Sequence, residues 1–169
     1  MFITNNYGFG RNPSRIFAQM SITNNQANTF AMTGTGIDTL VPPTGYSKIT
    51  GFVKEVGKGG FDVSASAFII PEDGWYQADG WCSFRHSANN STVAIVFGIT
   101  PPGGPLAYSP RPTPAKVPNV EDIGLIAGGG TFYAKKGTLV DARAATNNTG
   151  TVTIPNATIR IWQMVPGAQ

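Results

Sequence analysis

Along most of this chain apolar residues recur at every second position, and no useful stretch shows helical spacing. The segment from Trp75 to His86 is the longest example. It puts Tyr76, Ala78, Gly80, Cys82, Phe84 and His86 on one face, and Trp75, Gln77, Asp79, Trp81, Ser83 and Arg85 on the other. A period of two is the mark of a half-buried strand, because successive side chains of extended backbone point to opposite sides. The same reading applies from Ile16 through Ala18, Met20 and Ile22, with Phe17, Gln19 and Ser21 opposite. It applies again from Phe61 to Ile70, where Phe61, Val63, Ala65, Ala67 and Ile69 alternate with Asp62, Ser64 and Ser66. Thr92 to Ile99 follows the turn signal Asn89-Asn90 and aligns Val93, Ile95, Phe97 and Ile99. With the turn Pro71-Glu72-Asp73-Gly74, these last three segments read as a meander of paired strands. Leu139 to Ala145, Thr151 to Ile154 and Ala157 to Val165 complete the set, separated by Asn147-Asn148-Thr149-Gly150 and similar breaks. About 8–10 short strands with turns at regular spacing predict an all-β sandwich or barrel.

Three stretches interrupt the alternation. Residues 1–15 carry Phe2, Tyr7, Phe9, Arg11 and Arg15 among Asn and Gly with no period, and read as an extended arm ahead of a domain spanning 16–169. These side chains suit docking into a groove on another chain. Residues 101–118 hold seven of the 13 prolines, and proline cannot donate to a sheet ladder. They read as a stiff loop that packs on another subunit through Tyr108 and Arg111, or as a plain crossover between sheets. Gly128-Gly129-Gly130 reads as a flexible turn between Gly124–Ala127 and Thr131–Ala134.

Composition narrows the function. Charged residues are 12 % of the chain, about half the usual share, while the 21 glycines and 13 prolines exceed average usage. So few charges leave uncharged surface that burial against other chains would explain. The net charge of +3 arises from scattered residues, without the basic cluster of a nucleic-acid binder. No run approaches the length of a membrane span, and Met1-Phe2-Ile3-Thr4 does not open like a signal peptide, so the protein is expected to be made in a cytoplasm. Sequons at Asn89, Asn90, Asn147 and Asn156 are what an Asn/Thr-rich β protein contains by chance.

Catalytic chemistry finds little to stand on. His86 is the single histidine and no nucleophile motif accompanies it, so it reads as structural. Cys82, the single cysteine, excludes an intrachain disulfide and a thiolate metal site, and reads as a small buried residue. Glu72-Asp73 and Glu121-Asp122 lie in turns, no calcium-loop pattern is present, and no Lys-Ser/Thr follows the glycine run. No enzyme activity, metal or cofactor is expected. Trp75 and Trp81 fall opposite Tyr76 and Phe84, so one of these aromatic faces looks away from the core of a two-layer sandwich. Outward aromatics would line an oligomer interface, meet a second buried layer, or stack on a sugar.

A strand ending in Phe68-Ile69-Ile70, a Pro-Glu-Asp turn, Gly74-Trp75-Tyr76 opening a long strand, an Asn-rich hairpin, and Lys136-Gly137-Thr138-Leu139-Val140 occur in that order. This order resembles the trimeric jelly rolls of the tumour necrosis factor and complement globular-head superfamily. Their hallmarks are Gly-x-Tyr in a central strand and a glycine, acid, apolar step, where this chain has Thr138. The resemblance covers residues 16–165 and implies an antiparallel jelly-roll sandwich and a homotrimer, with Trp75, Tyr76, Trp81 and Phe84 in its interface or core. Bacteriophage capsid decoration (cement) proteins, head fibres and tail-fibre tips are similar jelly rolls. The expectation is a structural virion protein on the capsid surface, bound to the major capsid protein through the arm, with no nucleic-acid or membrane partner. The alternative is a receptor- or glycan-binding module at the tip of a head or tail fibre.

Overall fold

A computed structural model describes residues 17–33, 46–120 and 122–164, with the backbone alone over 109–113. The described residues form strands and turns with no helix, and therefore no helix long and apolar enough to cross a membrane. Twelve strands follow in chain order: β1 (Phe17–Ile22), β2 (Thr29–Thr33), β3 (Ser47–Lys48), β4 (Val53–Lys58), β5 (Asp62–Ser64), β6 (Ala67–Ile69), β7 (Gly74–His86), β8 (Ser91–Thr100), β9 (Ala107–Val117), β10 (Gly124–Ala134), β11 (Leu139–Thr146) and β12 (Thr149–Gln163). They make two six-stranded antiparallel sheets. The first has the order β10-β7-β12-β1-β4, with β2 also on β12; the second has β5-β6-β11-β8-β9, with β3 also on β11. The expected all-β antiparallel sandwich is the observed architecture.

The core lies between the sheets and is built from the alternation. From the first sheet come Ala18, Met20 and Ile22 of β1, Tyr76, Ala78, Cys82 and Phe84 of β7, and Ile154, Ile159 and Ile161 of β12. Val93 and Phe97 of β8 and Val140 and Ala142 of β11 face them from the second sheet. Phe61 stands edge-on to both Phe68 and Tyr76, each 6.0 Å away, and Tyr76 stacks on Phe132 at 6.4 Å. Such ring geometries add about 0.5–1.5 kcal/mol per pair beyond the area buried.

Several local readings change once the sheet order is known. The segments around Phe61–Ile70, Trp75–His86 and Thr92–Ile99 are not a meander. β6 and β8 belong to the second sheet and β7 to the first, so the chain crosses the sandwich at each of these turns. Phe61–Ile70 is not one strand either. Ala65 and Ser66 adopt positive φ (48° and 59°) and turn the chain from β5 into β6, pairing Ser64 with Ala67. This is the backbone of a tight two-residue hairpin, whose twist matches that of the flanking strands. The Asn147–Gly150 turn is shorter than read, and Thr151–Ile154 joins Ala157 onward in one strand, β12, with a register shift between Thr153 and Asn156.

The proline-rich stretch contains a strand rather than being a loop throughout. β9 occupies the edge of the second sheet, paired with β8 only. Pro110, Pro112 and Pro114 are spaced by two, so their missing donors fall on one side of the strand. An edge strand uses only the donors of its inner side, and there proline is tolerated. The register shifts between Ile95 and Phe97 of β8, where β9 bulges between Thr113 and Ser109. Gly128-Gly129-Gly130 likewise lies inside one unbroken strand, β10, and is not a turn. A Cβ on Gly129 would stand 2.9 Å from the Ala78 carbonyl oxygen, so the neighbouring strand requires glycine there.

Candidate functional site: the outer face of the first sheet

β7 is an inner strand of the first sheet, between β10 and β12, and its alternation splits its side chains between core and outside. Tyr76 and Phe84, expected at an interface or in the core, are fully buried in the core. The Tyr76 hydroxyl donates to the Glu72 carbonyl at 2.7 Å, and burial pushes its pKa up to about 12. Trp75 and Trp81 point the other way and are 56 % and 40 % exposed. The register sets what lies beside them. On β10, Tyr133 pairs with Trp75, Ala127 with Trp81 and Leu125 with Ser83. On β12, Trp162 pairs with Gln77, Arg160 with Asp79 and Thr158 with Trp81.

The outcome is a sheet face rich in aromatic and apolar groups that nothing among the described residues covers. Trp75 and Tyr133 form an edge-to-face pair with ring centres 5.8 Å apart, and Tyr133, Leu125 and Ile123 are all more than half exposed. Amid these groups the Arg160 guanidinium donates twice to the Asp79 carboxylate, Nε to Oδ1 at 2.9 Å and Nη2 to Oδ2 at 3.4 Å. Beside the pair lies a shallow depression lined by Asp79, Gly80, Trp81, Ala127, Gly128 and Arg160. The sequence pointed to the tryptophans. It missed Tyr133 and Leu125, because the glycine run broke the alternation that would have placed them on the same face.

The other expected residues fall elsewhere. Phe2, Tyr7, Phe9, Arg11 and Arg15 lie outside the described residues, as does the side chain of Arg111. Tyr108, expected to reach a partner, is buried within its own chain. It packs with Tyr46, Val96 and Ala145 on the outer side of the second sheet, its ring 5.0 Å from that of Tyr46. Close by, Asp141 accepts two bonds from Arg143 (2.8 and 3.1 Å) and faces Lys48 at 3.6 Å. A side chain on Gly98 would collide with this group, its Cβ 2.4 Å from Asp141 Oδ1.

His86 and Cys82 are embedded in the fold. The His86 ring accepts the Ala88 N–H at Nδ1 (2.9 Å), which leaves Nε2 as the donor to Thr146 Oγ1 at 3.1 Å. Burial holds its pKa below the ordinary histidine value. Ser91 Oγ lies 2.9 Å from Nδ1 but donates to the Ala88 carbonyl, and no carboxylate among the described residues orients the ring. Burial raises the Cys82 thiol to about 12, so the thiolate needed for nucleophilic or metal chemistry does not form near neutrality. No three His, Cys, Asp or Glu side chains cluster as a metal site among the described residues.

No family model matches this chain, and no curated protein does. Solved structures do match. Murine APRIL at pH 8.0 superposes with a TM-score of 0.57 at 9 % identity, over 88 % of this chain and 99 % of that one. The Eiger TNF of S. frugiperda superposes with a TM-score of 0.61, also at 9 % identity, over 92 % and 97 %. The fold is thus a β-sandwich of the tumour-necrosis-factor-like jelly-roll type. That is the class the strand order defines, and identity this low speaks to fold alone.

Proposed function

We propose that this chain is a structural virion protein, a homotrimer that decorates a capsid and stabilises its lattice by binding the major capsid protein, without enzymatic chemistry. The observation that carries the assembly reading is the uncovered aromatic face. At roughly 200 Å² per aromatic side chain, the exposed fractions of Trp75, Trp81 and Tyr133 amount to about 300 Å² before Leu125 and Ile123 are counted. The largest apolar patch on a typical monomer is about 300–600 Å² and is often functional. The charge deficit supports the same reading, as does the family resemblance, which implies a trimer. On this reading the protein is made in the host cytoplasm and resides on the capsid surface.

A receptor- or glycan-binding fibre tip is the second reading, and one observation favours it. Trp81 offers a flat ring beside the Asp79–Arg160 pair, an apolar surface next to donors and acceptors, as sugar recognition requires. Two measurements decide. Sedimentation equilibrium is expected to give a trimer, and a monomer at tens of micromolar that also fails to assemble on capsids would remove the assembly reading. Quantitation of purified particles is expected to give hundreds of copies each. A few dozen or fewer would favour the fibre tip.

A further inference from the structure

The register lays one row of polar side chains across the outer face of the first sheet. Asp79 of β7 pairs with Arg160 of β12, and Arg160 with Gln19 of β1. On β4 the Glu55 carboxylate then accepts from both the Gln19 amide and the Ser21 hydroxyl. Four strands at a spacing of about 4.8 Å make this row about 14 Å long, the reach of about three linked pyranose rings. Indole rings border it on opposite sides. Trp81 follows Asp79 by two positions on β7, and Trp162 follows Arg160 by two on the antiparallel β12. At its β7 end the row meets the depression beside Trp81, of about 380 Å³, where Gly80, Ala127 and Gly128 contribute little more than backbone. Pockets for small ligands begin at about 300 Å³.

The chemistry of the row selects its occupant. Asp79 and Arg160 share two charge-assisted bonds, and the Ser21 hydroxyl and Gln19 amide hold the Glu55 carboxyl below its ordinary pKa. Two carboxylates against one guanidinium leave no net positive charge to draw an anion, and Arg85 and Lys58 stand outside the row, across from Thr153 and Phe17. Hydrogen-bonding capacity remains, since a guanidinium has five donors and a carboxylate about four acceptor sites. Acceptor, donor, amide and acceptor thus follow one another across the strands. An extended peptide finds no free ladder to join here, because β7, β12 and β1 are paired on both sides. The hydroxyls of a saccharide each donate and accept, which suits such a row, and the C–H face of a pyranose ring suits an exposed indole. We propose that this row and its depression form a groove for a neutral oligosaccharide, laid across the strands with one ring on Trp81 and its hydroxyls on Asp79, Arg160, Gln19 and Glu55. This rests on the glycan reading above and extends it from one ring to a groove.

The test titrates the full chain with the neutral trisaccharides cellotriose, maltotriose and globotriose, with 3′-sialyllactose and with methyl glucoside, read by saturation-transfer NMR and tryptophan fluorescence. At least one neutral trisaccharide is expected to bind, roughly 10-fold or more tighter than sialyllactose. Trp81→Ala is expected to weaken it by about 10-fold or more, and Trp81→Phe, which keeps a flat ring, by less. The double variant Gln19→Ala with Glu55→Ala is expected to weaken the trisaccharide by about 10-fold but leave methyl glucoside, which reaches only the Trp81 end, unchanged. Circular dichroism confirms that each variant is folded. No transfer to any neutral trisaccharide at about 10 mM, sialyllactose bound as tightly, or binding indifferent to these variants would overturn the groove. Copy number on the particle answers separately for the fibre-tip reading: a few copies without saccharide binding would leave that reading standing and remove the groove. Hundreds of copies with binding through Trp81 would do the reverse.

Discussion

Replacing Gly124 with alanine probes how closely β10 is laid against β7. Gly124 pairs with Phe84, and its φ is not in the left-handed region, so alanine meets no backbone strain. On backbone grounds alone the change would stabilise by about 0.4–1 kcal/mol, through a less flexible unfolded chain. The packing opposes this. The new Cβ would stand 2.2 Å from Cζ and 2.3 Å from Cε1 of the Phe84 ring, which is wholly buried and has no solvent to swing into. Overpacking of this kind costs about 1–3 kcal/mol. The overpacking wins, for a net loss of about 1–2 kcal/mol, or roughly 2–8 °C in melting temperature for a domain of this size. Phe84→Leu alone should also destabilise, by about 1–2 kcal/mol, because it leaves a void. Combined, the methyl group fills part of that void, so the double variant should be more stable than the sum of the single losses by about 1 kcal/mol. Urea unfolding of the four proteins, followed by tryptophan fluorescence, measures the coupling. Losses that add within about 0.5 kcal/mol would refute the idea that this glycine exists to seat the ring.

Three further outcomes follow from two buried groups. Cys82→Ser should lower stability by about 1–2 kcal/mol and leave assembly intact, since the thiol is packed and has no chemical role. The native thiol, raised to about 12, should resist a thiol reagent at pH 8 and react only on unfolding; rapid labelling of the folded protein would contradict this. For His86 the folded pKa lies below the unfolded value of 6.5, so over that interval the unfolded chain binds a proton that the folded chain does not. Its contribution is therefore present in full above about pH 6.5 and is lost as pH falls through the folded pKa. His86→Asn should flatten that part of a stability-versus-pH curve, and an unchanged slope would show that the ring does not carry it.

What the sequence made legible was decided by how local each cause is. β7 could be read residue by residue, because burial of Tyr76, Ala78, Cys82 and Phe84 against exposure of Trp75 and Trp81 follows from the pleat of one strand. The turns on either side of it were also visible. Whether the next strand pairs with β7 or crosses to the opposite sheet was not, because both routes satisfy the same alternation. β9 was hidden for a related reason. Proline forbids a strand only where its amide must donate, and whether a strand lies at an edge depends on the order of the whole sheet.

The glycine run misled in the opposite sense. Glycine in isolation signals a flexible break, yet Gly129 and Gly124 sit in extended backbone because Ala78 and Phe84, both on β7, leave no room for a Cβ. The same fact explains why only half of the site was foreseen. Trp75 and Trp81 belong to a strand whose period was intact, whereas Tyr133 and Leu125 lie on the strand whose period the glycines erased, and Arg160 comes from a strand far along the chain. A surface assembled from three strands acquires its meaning from their register. The glycines that concealed β10 in the sequence are the same residues that leave Trp81 and the Asp79–Arg160 pair beside an open depression.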